Sequence, residues 1–247
     1  MSAVQLLVTG GRGRMGFAVL EAAEANDQAA VARSIDLGDS LSDAFQGVDC
    51  VIDFTTHGFT TELVEACLKH SSRLVMGTTG HTDEEREFIL QASKSLPIVL
   101  APNFSIGVNT LFWLTKKACE ILGPDFDLEV VEMHHRHKID APSGTARRLA
   151  EILAEARGLS YETDCRHGRE GDVGARTTTE IGVHALRGGD IVGDHTVVYA
   201  TQGERVELTH KASSRLTFAS GAVRAAVWLQ SQEAGLYDMQ DVLGLRA

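Results

Sequence analysis

The first part of the chain alternates between short apolar runs and longer segments with helical spacing. The apolar runs have the length and the β-branched content of strands, and they fall at 5–9, 29–34, 48–54, 73–76 and 97–100. Between the first two runs, apolar residues recur with the period of a helix that begins at Met15 and ends at Ala25. Strands that alternate with helices form βαβ units, so this part predicts a doubly wound parallel sheet.

The second part of the chain has a different pattern. The elements it predicts are, in chain order, a helix at 108–122, a strand at 127–133, a helix at 145–157, two strands at 197–200 and 205–209, and a helix at 221–232. The glycine-dense segment 168–193 predicts long loops among antiparallel strands. Thr201-Gln202-Gly203-Glu204 predicts a hairpin between the last two strands.

The loop after the first strand carries glycines at positions 11, 13 and 16, which is the spacing G-x-G-x-x-G, and it opens directly into a helix. Glycine allows a tight turn and a close approach of the backbone, and a helix N-terminus attracts phosphate. We therefore predict a dinucleotide site; the alternative is a glycine turn without a ligand. Asp36 ends the second strand and is predicted to bind the ribose hydroxyls. The loop residues predicted to bind the pyrophosphate are Gly10, Gly11, Arg12, Gly13, Arg14 and Met15.

Small and polar residues also follow the later strands of the predicted sheet. Ligands of open parallel sheets bind at the carboxyl ends of the strands, so these loops are predicted to complete a cofactor crevice. The alternative is that their glycines and threonines only form turns. The residues predicted to contact the cofactor here are Gly77, Thr78, Thr79, Ala101, Pro102, Asn103 and Phe104.

Composition narrows the class of protein. With 247 residues, 43% hydrophobic and 23% charged, the chain is typical of a globular protein. Its net charge of −11 argues against nucleic acid or an anionic membrane as a partner. No apolar stretch has membrane-spanning length, and we expect a cytoplasmic protein. Its four cysteines include no C-x-x-C pair, which predicts reduced and mostly buried thiols and no zinc site.

The run His134-His135-Arg136-His137-Lys138 concentrates positive charge in this acidic chain, which predicts an anionic ligand. Ser143 follows it and is predicted to cap the next helix, whose first N–H groups suit a carboxylate. A histidine or lysine beside that carboxylate can serve as a general acid.

Three other interpretations of this run stay open. A metal site is one, although adjacent histidines in a loop point in different directions. A solvated basic patch on the surface is the second. The third makes Ser143 the nucleophile of a hydrolase, although its surroundings lack the G-x-S-x-G pattern.

Several segments together resemble the dihydrodipicolinate reductase family, also called 4-hydroxy-tetrahydrodipicolinate reductase. The resemblance spans nearly the whole chain and includes the later segments 187–196 and 210–215. The motifs that carry it are Gly10-x-x-Gly13-Arg14-Met15-Gly16, Asp53-Phe54-Thr55, Gly77-Thr78-Thr79-Gly80, 101–109, and Glu132-x-His134-His135-x-x-Lys138-x-Asp140-Ala141-Pro142-Ser143-Gly144-Thr145.

The resemblance implies a Rossmann-type dinucleotide-binding domain formed by 1–105 and 215–247. It implies a second, mixed α/β domain, 106–214, that binds substrate and forms a homotetramer. The implied reaction is reduction of a small cyclic dicarboxylate by NADH or NADPH, with loss of water, in lysine synthesis. His134 is implied as the acid/base and Lys138 as the proton donor. The residues expected to bind the substrate are His135, Lys138, Ser143, Gly144 and Thr145.

Cofactor preference depends on the segment after the second strand, where 37–46 leaves room for only one short helix. The Asp36 carboxylate favours NADH because it repels a 2′-phosphate, whereas Arg12 and Arg33 could neutralise that phosphate. We predict dual use with a preference for NADH. Two other classes of function are a nucleotide-sensing protein without turnover and a dehydrogenase acting through a thioester, which needs a cysteine in the crevice.

Overall fold

The computed structural model describes residues 2–246, and the chain folds into two compact units. The first unit extends to Ile106 and resumes at Arg215, and the second is Gly107–Ser214. The cofactor, substrate and assembly roles predicted for the two domains remain predictions at this stage.

Strands and helices alternate along most of the chain. Between residues 2 and 246 the strands are β1 (Val4–Thr9), β2 (Ala29–Ile35), β3 (Cys50–Asp53), β4 (Arg73–Met76), β5 (Pro97–Leu100), β6 (Asp127–His134), β7 (Cys165–His167), β8 (Ile181–Arg187), β9 (Gly193–Thr201), β10 (Glu204–Ala212) and β11 (Gly235–Tyr237). The α-helices of the same range are α1 (Arg14–Glu24), α2 (Thr60–His70), α3 (Asp83–Ala92), α4 (Ile106–Leu122), α5 (Gly144–Arg157), α6 (Tyr161–Asp164), α7 (Leu216–Trp228) and α8 (Met239–Val242).

The first unit contains a six-stranded parallel sheet in the order β11-β5-β4-β3-β1-β2. Its register brings the ends of the strands into one row. Thr9 pairs with Ile35 on one side and with Asp53 on the other. Asp53 pairs with Met76, which pairs with Leu100. The loops after these strands therefore begin at the same edge of the sheet.

Both faces of this sheet are buried. Leu6 and Val8 of β1 belong to a core formed with α1 and α7, whereas Leu7 belongs to a second core formed with α2 and α3. Successive side chains of a strand point to opposite faces, so helices cover the sheet on both sides. The predicted doubly wound α/β fold is confirmed.

The second unit contains a five-stranded mixed sheet in the order β10-β9-β6-β8-β7. One face packs against α4 and α5 through a core that includes Leu128, Val130 and Tyr199. Because strand side chains alternate, Glu129 and Val131 lie on the other face, where they are only partly buried.

The hairpin prediction is confirmed, because β9 and β10 pair antiparallel and Gly203 adopts a φ of +94° in the turn. The antiparallel strands expected around the glycine-dense segment are present as β9 and β10, but the expectation is wrong for β8, which pairs parallel with both β6 and β7. The helices α5 and α6 form the crossover from β6 to β7, and the segment 168–180 returns the chain to the start of β8, so the three strands run in the same direction.

One predicted helix has other bounds in the structure, and the segment that has room for only one short helix forms none. The last long helix is α7, which begins at Leu216 and ends at Trp228, earlier than 221–232. The segment 37–46 forms consecutive turns instead of a short helix. Its backbone bonds are of the local i to i+3 type, such as Asp39 N–H to the Asp36 oxygen at 3.0 Å, and Gly38 has a φ of +95° that ends any helical turn.

No helix within residues 2–246 is both long and apolar enough to cross a membrane.

Candidate active site

The glycine loop of the first unit lies between β1 and α1 and is closed by its own backbone. Gly10 has a φ of +68°, and its carbonyl oxygen accepts the Gly13 N–H at 2.9 Å. A methyl group on Gly16 would lie 2.0 Å from the Gly10 oxygen, and one on Gly11 would lie 2.0 Å from Oγ of Ser34. Gly16 therefore requires glycine, because a Cβ there would push the loop away from the helix, whereas a Cβ on Gly11 would displace the Ser34 hydroxyl.

The N-terminus of α1 is open to a ligand. Gly13 caps the helix without a side-chain hydrogen bond, and the first turn contains no acidic residue. The positive end of the helix dipole is therefore not compensated locally, which is the property that a pyrophosphate site needs. The predicted residues Arg14 and Met15 begin this helix.

Asp36 lies beside the same loop. Its carboxylate accepts the N–H of Arg12 at 2.7 Å and the N–H of Leu37 at 3.0 Å. These two bonds, the Arg12 bond first, lower the pKa of the Asp36 carboxyl. The structure thus brings the residue predicted for the ribose next to the loop predicted for the pyrophosphate.

A buried carboxylate organises the edge of the sheet. Asp53, which is 1% exposed, accepts hydrogen bonds from the hydroxyls of Thr9 at 2.6 Å, Thr55 at 2.7 Å and Thr78 at 2.5 Å. These threonines come from the ends of β1, β3 and β4. One side chain therefore holds together three of the strand ends from which the predicted cofactor loops start.

Aromatic packing supports the remaining predicted loops. The ring of Phe54 occupies the space that a side chain at Gly77 would need, with Cε1 2.1 Å from such a Cβ. Phe104 is buried and packs edge-on against Phe54 with ring centroids 5.5 Å apart. The Ala101 N–H donates to the Met76 oxygen at 3.2 Å, which joins the two loops that follow β4 and β5. Thr79 and Pro102 lie in these loops, and Oδ1 of Asn103 accepts the Ser105 N–H at 2.8 Å.

In the second unit, His134 ends β6 and is buried. Its Nδ1 lies 2.6 Å from Oε2 of Glu132, a carboxylate with no exposed surface. Arg187 binds both oxygens of that carboxylate, with Nη1 2.8 Å from Oε2 and Nη2 2.9 Å from Oε1. Burial alone would raise the pKa of the Glu132 carboxyl, but the hydrogen bonds from Arg187, His134 and the Ser143 N–H lower it overall. Glu132 is therefore a buried anion balanced by Arg187.

The start of α5 is attached to the same carboxylate. The Ser143 N–H donates to Oε1 of Glu132 at 3.0 Å, and Oγ of Ser143 accepts the Ala146 N–H at 3.2 Å as the helix cap. The same Oγ lies 3.0 Å from Nε2 of His195. Ser143 is 3% exposed and both of its polar groups are engaged inside the protein, which argues against a nucleophilic hydroxyl.

Gly144 and Thr145 form the first turn of α5, which contains no acidic residue. Apart from its chain neighbours and the backbone of its own helix, no described atom lies within 4 Å of the position that a Cβ on Gly144 would take. The helix therefore begins beside open space, and the first turn of a helix carries a partial positive charge.

The loop that follows β6 is held by backbone bonds to 188–191. The His135 N–H donates to the Ile191 oxygen at 2.7 Å. Nδ1 of His135 is buried and has no hydrogen-bond partner in the described chain, so it could accept or donate to a ligand. Nζ of Lys138 lies 2.8 Å from the Asp140 carboxylate, and that bond lowers the pKa of Asp140.

His195 lies edge-on to His134, with ring centroids 5.1 Å apart. Burial, and then the charge of His134, lower the pKa of His195 to about 3. The charge of Lys138 also lowers the pKa of His195, so Lys138 acts electrostatically on this histidine. His195 is therefore a neutral hydrogen-bonding partner of Ser143 and not an acid at ordinary pH.

The thioester alternative finds no suitable nucleophile among the cysteines. Cys50 and Cys67 are buried, and burial raises the pKa of both thiols. Burial also raises the pKa of the half-buried Cys165 to about 11. Cys119 is buried as well. Within residues 2–246, His, Cys, Asp and Glu side chains form no group of three or more that could hold a metal ion.

Sequence reasoning assigned no individual role to Asp53, Glu132, Arg187 or His195. Two of them left a signal. Asp53 ends an apolar strand, and Glu132 shares its strand face with Val130, so each is an acidic residue at an inward position. The other two come close only through strand pairing, since His134 pairs with Arg187 and Glu132 with His195.

Comparison with known proteins identifies the family. The family model of the dihydrodipicolinate reductase N-terminus matches residues 4–104, and that of the C-terminus matches 107–243. The 4-hydroxy-tetrahydrodipicolinate reductase of Akkermansia muciniphila is 59% identical over 98% of each chain. The enzyme of the same name from Pseudomonas fluorescens is 46% identical, covering 98% of this chain and 99% of that one.

A solved structure agrees with this result. The dipicolinate-bound dihydrodipicolinate reductase from Paenisporosarcina sp. TG-14 superposes with a TM-score of 0.79 at 25% identity, over 97% of this chain and 98% of that one. The chain therefore belongs to the dihydrodipicolinate reductase family, and it is an oxidoreductase that uses NAD(P)H to reduce 4-hydroxy-tetrahydrodipicolinate to tetrahydrodipicolinate, with loss of water, in the diaminopimelate route of lysine synthesis.

Proposed function

We propose that His134 and Lys138 carry out the proton transfers of this reduction. The observation that carries the proposal is that the Glu132 carboxylate binds both Nδ1 of His134 and the N–H of Ser143, the cap of α5. Its other nitrogen, Nε2, has no protein hydrogen bond in the described chain and is left to exchange a proton with substrate. Lys138 keeps an ammonium group beside Asp140 and is the donor of the proton that the reduced ring takes up.

The substrate carboxylates bind at the first turn of α5 and at His135. Support comes from the open space beside Gly144, from the absence of acidic residues in that turn, and from the unpaired Nδ1 of His135. The related enzyme from Paenisporosarcina binds dipicolinate, which is a ring with two carboxylates. Thr145 belongs to the same turn, and Ser143, which is predicted to bind the substrate, caps that turn and fixes its position.

The glycine loop holds the pyrophosphate of NAD(P)H, and the loops after β4 and β5 complete the cofactor site. The loop fits this group because its glycines leave the N-terminus of α1 open. When bound, the reduced nicotinamide supplies the hydride. Asp36 binds the ribose hydroxyls and favours NADH, while Arg12 and Arg33 allow some use of NADPH.

The second unit also forms a homotetramer through the open face of its sheet. Val131, Met133 and Val198 lie partly buried on this face, and Leu186 beside them is 41% exposed. The core formed with α4 and α5 lies on the opposite face of this sheet. Apolar side chains on an exposed sheet face favour contact with further copies. Light scattering after gel filtration should give the mass of four chains, and Val131→Glu should reduce it; a monomeric wild type would contradict this assignment. Localisation in the cytoplasm remains a prediction from the sequence.

A coupled assay tests the enzymatic function. Pyruvate, aspartate semialdehyde and the condensing synthase are mixed with this protein, and the loss of NADH or NADPH absorbance is followed. We expect consumption with both cofactors and a higher kcat/KM with NADH. A nucleotide sensor would bind NADH without consuming it, and that result would contradict the proposal.

A further inference from the structure

We infer that Glu132 is a positioning residue. It fixes the proton of His134 on Nδ1 and keeps that imidazole at a fixed position relative to the first turn of α5. The inference rests on the proposed role of His134 and extends it to a residue that does not touch the substrate. It starts from the contacts of a single carboxylate, whose two oxygens together accept four hydrogen bonds.

Glu132 determines the tautomer of His134. An ionised carboxylate can only accept hydrogen bonds, so the nitrogen 2.6 Å from Oε2 of Glu132 must carry a proton. Nδ1 is therefore protonated in both the neutral and the charged ring. Only Nε2 can gain or lose a proton, and this nitrogen is the atom that the proposed mechanism needs.

Arg187 stabilises the charge of Glu132. Both of its oxygens face Arg187, whose guanidinium forms a bidentate pair with them. The pair keeps the carboxylate ionised inside the protein, so that Glu132 stays an acceptor toward His134. His195 packs edge-on against His134, is neutral, and offers no charge that could replace Arg187.

Glu132 also holds the start of α5, the helix proposed to bind the substrate carboxylate. Oε1 of Glu132 accepts the N–H of Ser143, which caps α5, and Arg187 also donates to the Asp140 oxygen at 2.7 Å. The same ion pair therefore joins the proton-exchanging ring, the segment after Lys138 and the start of α5. A shift of Glu132 would move the acid relative to a substrate whose carboxylate is held at α5, and proton transfer depends on that relative position.

Gly193 lies beside Nε2 of His134. A methyl group on Gly193 would lie 3.0 Å from this nitrogen, closer than a side chain there could remain without displacing the ring. Gly193 pairs with Ala212 at the edge of β9, so its lack of a side chain keeps space beside the reactive atom. Space at Nε2 and a fixed proton at Nδ1 both point to a ring that exchanges protons through one nitrogen.

The test is Glu132→Gln, which keeps the size of the side chain but replaces one acceptor oxygen with a donor NH₂. We expect kcat to fall by about 10²- to 10⁴-fold, because a wrong tautomer removes the acid–base function of the ring, with NADH affinity unchanged. Glu129→Gln is the matched control. Glu129 lies on the opposite face of the same strand and also binds a histidine and an arginine, His184 and Arg169, so its loss should leave kcat near the wild-type value.

The second readout is the tautomer itself. Nitrogen-15 spectra distinguish a protonated from an unprotonated ring nitrogen, and the His134 signals are assigned by their loss in His134→Gln. The wild type should show the Nδ1–H form alone, and Glu132→Gln should show a mixture of the two tautomers. Circular dichroism and gel filtration confirm that each variant is folded and has the same assembly.

The outcomes separate this inference from the proposed function. A wild type with Nε2–H and bare Nδ1 overturns the inference, even if Glu132→Gln does not fold. Unchanged kcat in Glu132→Gln, with His134→Gln inactive, also overturns it and leaves the role of His134 intact. Unchanged kcat in His134→Gln overturns the proposed acid–base role, whatever the tautomer.

Discussion

The hydroxyl of Thr78 donates to Oδ2 of Asp53 at 2.5 Å, and this bond connects the loop after β4 to the end of β3. Asp53→Asn replaces one acceptor oxygen with a donor, so at least one buried threonine hydroxyl loses its acceptor. The variant should lose about 1–3 kcal/mol of unfolding free energy, and its Kd for NADH should rise. Urea unfolding and fluorescence titration measure the two effects. Asp27→Asn, on the exposed turn before β2, is the control; equal stability and equal NADH affinity in both variants would contradict the role of Asp53.

Gly16→Ala should weaken NADH binding by displacing the glycine loop. The added methyl would lie 2.0 Å from the Gly10 oxygen, and neither backbone can move without opening the turn. We expect at least about a tenfold rise in Kd, because a displacement worth about 1.4 kcal/mol already has that effect. Gly58→Ala is the matched control, since no atom lies within 4 Å of its Cβ position. NADH affinity that stays at the wild-type value in Gly16→Ala would show that the loop does not hold the cofactor.

Asp36→Ala should shift the cofactor preference toward NADPH. The carboxylate is ionised and partly exposed, so its loss removes a repulsion from a 2′-phosphate and a partner of the ribose hydroxyls. The ratio of kcat/KM for NADPH to that for NADH should increase by about tenfold, or about 1.4 kcal/mol. Asp43→Ala, an exposed acidic residue of the same segment, should leave the ratio unchanged. The same catalytic efficiency with NADPH in Asp36→Ala and in the wild type would remove Asp36 from the cofactor site.

His134→Gln and Lys138→Ala should lose turnover and keep their affinity for NADH. Each loses a proton-transfer group, which is worth roughly 10²- to 10⁴-fold in kcat. His137→Gln is the control because this residue belongs to the same positive run and is exposed. A loss of kcat in His137→Gln as large as in His134→Gln would favour a diffuse basic patch. A collapse of NADH affinity in the two test variants would place them at the cofactor instead.

The stability of the protein should fall as the pH decreases below about 6.5, partly because of His195. Its pKa is lowered to about 3 in the folded state. Between this value and the unfolded pKa, the unfolded chain therefore binds a proton at His195 and the native state does not. Stability from this group is complete above the unfolded pKa and is lost between that value and about 3, with a slope of at most about 1.4 kcal/mol per pH unit. Urea unfolding at pH 7 and pH 5 should show a smaller pH effect in His195→Gln than in the wild type. Equal pH effects in the two proteins would mean that His195 is solvated; the exposed His70 serves as the control substitution.

Much of the fold and part of the site could be predicted from local patterns. The five front strands and the loops at their ends follow from apolar runs and glycines, since burial on both faces of a parallel sheet demands apolar residues throughout. The direction of β8 could not be predicted, because parallel pairing depends on the connection that precedes a strand and not on the strand's own residues. The start of α7 was also predicted too late, since Leu216 and Ala219 of its first turn pack in the same core as the rest of the helix.

By itself the sequence determined which residues carry charge, where strands and helices alternate, and which motifs the chain shares with its family, because these depend on neighbours along the chain. Only the tertiary structure decided which groups surround them. Arg187 and His195 reach Glu132 and His134 through the pairing of β8 and β9 with β6, and Thr78 reaches Asp53 through the pairing of β4 with β3. Such contacts join residues tens of positions apart, and strand register, set by the packing of the whole unit, determines them.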